Sequence, residues 1–124
     1  MGSPTSSSNV VRLLADDGRV VCEQCVVADG SLSRMRGLLG RRSLDDGEGL
    51  LLEPASSVHT FFMRFPIDVV FLDREGSVSK IVENVRPWRA AGCRGARSVV
   101  ELSAGEAGRL GLRVGTRLSR LAAS

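Results

Sequence analysis

Tyrosine is absent from the chain, tryptophan, histidine and lysine occur once each, and aromatic residues make up only 4% of the 124 positions. That scarcity leaves no room for the aromatic-rich strand pair of many nucleic-acid binders, and no helix-turn-helix pattern is present either. Cysteines number three. An odd count excludes a closed disulfide framework and fits a reducing compartment, where free Cys behaves as a small buried hydrophobe. No apolar run approaches the roughly 20 residues that span a bilayer, so no membrane partner is expected. The opening M-G-S-P-T-S-S-S-N lacks the basic and apolar regions of a secretory signal. Residues 1–9 read as a disordered tail, residues 10–124 as a single globular domain, and the cytoplasm as its compartment.

The composition is otherwise that of a soluble globular chain, with 43% hydrophobic and 25% charged residues. The length allows a core without disulfides or metal. Net charge is +3, unevenly placed: residues 1–62 hold six Arg and eight acids, and residues 63–124 hold ten Arg, Lys80 and six acids. So mild an excess, almost all of it Arg, does not require a nucleic-acid partner.

The densest apolar stretch is Val58 to Asp73, which contains all four Phe, the single His and Pro66. It reads as central strands, Val58–Met63 and Ile67–Leu72, broken at Pro66, which cannot donate to a ladder and biases Phe65 to extended geometry. Before it, Asp16-Asp17-Gly18 between apolar runs predicts a hairpin of Asn9–Leu14 with Arg19–Val27. Leu32, Met35, Leu38 and Leu39 at helical spacing predict a short helix over 31–39, ended by Gly40. Leu50–Leu52 reads as a short strand. After it, the turn Asp73-Arg74-Glu75-Gly76 predicts a second hairpin with Val78–Val85. Asn84–Gly95 reads as loop, Ala96–Leu102 as strand, Ala104–Leu110 as a second helix and Arg117–Leu121 as a last strand. The expected fold is mainly β with two short helices, a compact antiparallel sandwich or barrel. An exposed edge strand would allow either a monomer or a dimer.

Five residues stand out as a candidate binding surface: His59, Arg64, Asp68, Trp88 and Arg89. Asn84–Val100 contains no acid and sets Arg86, Arg89, Arg94 and Arg97 around Trp88, a pattern suited to an anion beside a flat ring. On a strand, His59, Phe61 and Met63 share one face, Thr60, Phe62 and Arg64 the other. Asp73 suits the start of its turn, and Asp68 suits a buried salt bridge with Arg64 or Arg36. Trp88 could instead cover a core edge. Cys22-Glu23-Gln24-Cys25 is a C-x-x-C, but on a regular strand residues i and i+3 point to opposite faces about 10 Å apart, too far for a disulfide or a metal. A zinc site would need Cys22, Cys25, Cys93 and His59 to converge. No cofactor or metal is expected.

R-G-L-L-G-R at 36–41, F-F-M-R-F-P-I-D-V-V-F-L-D at 61–73 and L-S-A-G-E-A-G-R-L-G-L-R-V-G-T-R-L at 102–118, in that order, resemble the prokaryotic family called domain of unknown function 192. The resemblance covers about residues 12–121 and implies a compact β-sandwich-like fold with short helices; it supplies no function. The family's F-W-M is Phe61-Phe62-Met63 here, and its closing turn Asp is replaced by Thr116.

The residues point first to a small non-catalytic accessory domain, with the groove between the 58–73 strands and the 84–97 loop taking a small anionic ligand or a protein partner. A hydrolase using His59 with Asp68 or Asp73 is the alternative, and requires those groups to meet in one pocket. Weak nucleic-acid binding through the Arg86–Arg97 loop is a third reading, recognisable by steep salt dependence.

Overall fold

The computed structural model describes residues 10–28, 44–61 and 63–122. Nine strands run through them: β1 (Val10–Ala15), β2 (Val20–Ala28), β3 (Glu48–Leu52), β4 (Ser57–His59), β5 (Ile67–Leu72), β6 (Val78–Val85), β7 (Ala90–Gly92), β8 (Ser98–Ser103) and β9 (Leu118–Ala122), with one helical turn, α1 (Glu106–Arg109). Seven form one sheet in the order β6-β5-β8-β3-β2-β1-β9, and β4 pairs with β7 in a separate ribbon. The mainly β class and both expected hairpins are observed. The helix expected over 31–39 lies outside the described residues.

The sheet is mixed rather than wholly antiparallel, because β2 and β3 run parallel from Gln24↔Glu48 to Ala28↔Leu52. A tight turn cannot join parallel neighbours, which is why 19 residues separate β2 from β3. Nor is it a closed barrel. Among the described residues its two edges meet where Ser77 bridges Arg117 at the starts of β6 and β9, flanked by the bonds of Val78 N to Thr116 O and Leu118 N to Gly76 O.

The central strands are buried on both faces, so they read as continuous apolar runs. All six residues of β5 are buried. Val70 and Leu72 face the interior of the curl with Leu13, Leu51, Val100, Leu102 and Leu118. Ile67, Val69 and Phe71 face a second core under the β4–β7 ribbon, with Leu50, Leu52, Val58 and Val99. Fully burying a side chain the size of Phe71 stabilises by about 2–3 kcal/mol. The ribbon thus acts as a cover, and the candidate loop is attached to it.

Two segments differ from expectation. Val58–Met63 does not continue as one strand: β4 ends at His59, and Thr60 O accepts from the Met63 amide at 3.2 Å, so the chain turns there. His59 and Phe61 are exposed while Met63 is buried, so the three do not share a face. In 84–95, read as loop, Ala90–Gly92 pairs with Ser57–His59 as β7.

Candidate functional site

Thr60, between β4 and the turn that follows, is fully buried yet polar. Its amide donates to Arg89 O at 2.8 Å and its carbonyl accepts from the Trp88 amide at 3.0 Å. Its Oγ1 donates to Arg86 O at 2.5 Å and accepts from the Arg89 amide at 2.9 Å. One threonine therefore satisfies four backbone groups of the 86–89 loop. The sequence reading missed Thr60, although a lone Thr inside an aromatic run is a usable signal.

Asp68 fixes the other end of the same loop. On β5 it faces the interior and is fully buried. One carboxylate oxygen accepts from the Asn84 amide at 2.9 Å, and the other from Gly105 and Ala107 at 3.0 and 2.9 Å. It thus caps α1, whose own N-cap, Gly105, makes no side-chain cap bond. The expected salt bridge of Asp68 with Arg64 does not form, because three backbone donors already occupy the carboxylate; Arg36 lies outside the described residues. Asp73, as expected, stabilises its turn: its Oδ1 accepts from the Glu75 and Ser77 amides, each at 2.9 Å.

Held at both ends, the loop takes a shape its residues do not favour. Asn84 has φ 54° and Trp88 has φ 65°. Asn tolerates the left-handed region, but a bulky residue there is an outlier and costs about 1–2 kcal/mol. The Trp88 side chain is not a core cover; it is 55% exposed. Phe61, itself 39% exposed, stacks on it with centroids 5.6 Å apart and planes at 25°. His59 adjoins Phe61 at 4.8 Å. Three rings thus make a surface ridge, and Arg64, Arg86, Arg89, Arg94 and Arg97 are all exposed. Beside the ridge a groove of about 400 Å³ is lined by Arg86 and Arg89, with Glu83 and Asn84 on its β6 side.

The structure therefore brings His59, Phe61 and Trp88 together and sets Arg89 next to them. It places Asp68 beneath, in the interior. The hydrolase reading loses its geometry: His59 is on the outer ribbon, the Asp68 carboxylate is sealed in the interior, and that of Asp73 is engaged in its own turn. The zinc reading loses its geometry too. Cys22 and Cys25 belong to the inner core, while Cys93 packs against the outer one.

The C-x-x-C itself needs correction. Cys22 and Cys25 do not point to opposite faces; both are fully buried in the same core. Along β1 the register steps from Val11↔Cys25 to Leu13↔Cys22, so three residues of β2 oppose two of β1. That bulge cancels the alternation of a regular strand. A hydrogen bond with the Cys22 thiol and, after it, burial hold the Cys25 thiol well above its usual range.

The sequence model of the family DUF192, described as uncharacterized ACR, matches residues 12–120. Among solved structures, a protein from Sinorhizobium meliloti 1021 described as a candidate transcription regulator is 28% identical at a TM-score of 0.77, over 90% of this chain and 92% of that one. A protein of unknown function from Novosphingobium aromaticivorans DSM 12444 is 25% identical at 0.75, over 89% and 83%. A candidate exported protein from Burkholderia pseudomallei K96243 shares the fold alone, at 13% identity and 0.52, with 90% of this chain spanning 24% of that one. No curated protein matches. Over residues 12–120, from within β1 to within β9, the chain belongs to the DUF192 family.

Proposed function

We propose that the protein is a non-catalytic binding module whose ligand site is the ridge of His59, Phe61 and Trp88 together with Arg64, Arg86 and Arg89, and that it takes a small anionic ligand. One observation carries the reading: an indole more than half exposed is held in a left-handed backbone conformation by four hydrogen bonds to a buried Thr60. Strain of that kind persists only where the surrounding structure over-determines it, and it concentrates at ligand clamps. The groove at Arg86 and Arg89 supplies the charge, and the ring its flat face. We further place the module in the cytoplasm, on the support of three free thiols.

A thermal-shift screen against nucleotides, sugar phosphates and small organic acids tests this, since a ligand at 100 times its Kd stabilises by about 2.7 kcal/mol. Trp88→Ala and Arg89→Ala are expected to erase the shift while unfolding within a few degrees of the wild type. If every anion leaves the melting temperature unmoved, or if a hit survives both substitutions, the site is elsewhere. The name of the Sinorhizobium relative makes duplex DNA a necessary arm of the screen. DNA binding through this surface would weaken steeply between 50 and 200 mM salt, as counterion release demands.

A further inference from the structure

The bulge in β2 brings Cys22 and Cys25 within reach of each other. On its β9 side, β1 is a regular strand, paired residue for residue from Val11 to Ala15. On its β2 side, Val11 faces Cys25 and Leu13 faces Cys22. Val11 and Leu13 are two residues apart on that regular strand, so their Cα atoms are roughly 6.6–6.8 Å apart. Cys22 and Cys25, held opposite them, span about the same distance, well short of the ~10 Å of an i, i+3 pair on a regular strand. A disulfide closes over Cα separations of roughly 4.4–6.8 Å, so the pair stands at the upper end of that range.

The β3 side locates the sulfurs. Cys25 is the register partner of Gly49, and a Cβ on Gly49 would stand 2.9 Å from Cys22 Sγ. The Cys22 sulfur therefore fills the space left by the missing Gly49 side chain, beside Cys25. The two thiols are hydrogen-bonded to each other, and that of Cys22 donates to Gly47 O at 3.4 Å. Both side chains are 0% exposed and face one core, whereas Cys93 packs against the other. A fold that holds two thiols together favours the bond between them, and by linkage that bond stabilises the fold.

We propose that Cys22 and Cys25 are a dithiol–disulfide pair, closed by a disulfide oxidant as the chain folds and shielded by the core afterwards. The Cys22 thiolate attacks one sulfur of the oxidant and expels the other as a thiolate, leaving a mixed disulfide. The Cys25 thiolate then attacks Cys22 Sγ, the protein S–S bond forms, and the second oxidant sulfur leaves as a thiolate. Two electrons pass from protein to oxidant, and the two thiol protons end on the departing sulfurs. In a reducing compartment the pair stays open, and in an oxidising one it closes.

The test is to refold the full chain from urea in buffers of set ratio of reduced to oxidised dithiothreitol. Free thiols are then alkylated under denaturing conditions and the tryptic peptides 20–34 and 90–94 are weighed. Peptide 20–34 is expected to lose two hydrogens and take no alkyl group, while peptide 90–94, which carries Cys93, stays alkylated. At one dithiothreitol ratio, the closed form should be favoured by roughly tenfold more in the refolded protein than in a chain kept in urea. Cys93→Ser should behave in the same way. The closed protein should keep the native amide spectrum except near 22–25 and their neighbours on β1 and β3. Three results would overturn the proposal: closure no more favourable in the folded chain than in urea, which would make the pair plain core thiols; bonding of either cysteine to Cys93 in preference; or loss of the native amide spectrum on closure.

Discussion

Two buried polar residues, Asp68 and Thr60, do most to shape the candidate surface, and neither reaches it. Asp68 accepts three backbone N–H groups that belong to β6 and to the start of α1. In Asp68→Asn an amide NH2 would confront at least one of those donors, leaving it unsatisfied in a buried place. The expected destabilisation is about 2–4 kcal/mol. At about 3–5 °C per kcal/mol for a chain of this size, that is a fall of order 10 °C in thermal unfolding followed by circular dichroism. Thiol chemistry gives a second check at this scale. Cys22 and Cys25 are sealed in the core while Cys93 is half-buried. A thiol reagent should therefore consume one equivalent quickly in the native protein and the other two only on unfolding. The raised Cys25 value also has a consequence for stability. The unfolded thiol ionises near 9.0, whereas the folded one stays protonated to higher pH. Above about pH 9 the unfolded state therefore holds fewer protons, and stability falls as pH rises. Cys25→Ala should flatten that alkaline decline relative to the rest of the curve, whatever it does to the core.

At the scale of elements, the β2 bulge is the feature on which the inner core depends. It turns Cys22 inward directly over β3, where a Cβ on Gly49 would lie 2.9 Å from both Cys22 Sγ and Glu101 O, the second of them backbone that cannot swing aside. Gly49→Ala is therefore expected to destabilise by about 1–3 kcal/mol, read as a lower urea midpoint at unchanged slope. The two hairpins, β5 and α1 were legible in the sequence because turn residues and apolar runs are local signals. Asp16-Asp17-Gly18 and Asp73 to Gly76 sit where those signals put them. The bulge was not legible, since one extra residue in a ladder is defined only against the partner strand. The parallel β2–β3 pair and the ribbon of β4 with β7 escaped for the same reason: each joins segments whose partners lie far along the chain. The site was half legible. Trp88 and the arginines announced themselves by composition, whereas Phe61 as the ring behind Trp88, and Thr60 as the clamp, depended on contacts 26 to 29 residues apart.

Taken as one body, the molecule has an aromatic and cationic surface on the outer ribbon and a leucine-floored cavity where the sheet edges meet. The order of the sheet carries one more consequence. β1 and β9 are neighbours, with Val11 opposite Ala122, so the first and last strands are zipped together over five pairs. Topologically the polypeptide is a ring cut at a single place, and the cut can be moved. Joining the two ends by a short flexible linker and reopening the chain at Asp17-Gly18 keeps every strand pair and severs only an exposed turn, where a Cβ on Gly18 would meet nothing within 4 Å. Such a circular permutant is expected to fold to the same structure, with the amide spectrum changed only around the old and new termini. A cut at Glu75-Gly76 offers the contrast. There Gly76 is jammed against Leu118 O, 2.6 Å from the position of a Cβ, beside the bridge that joins the sheet edges. Opening the ring at that seam should leave a chain that collapses without closing its curl.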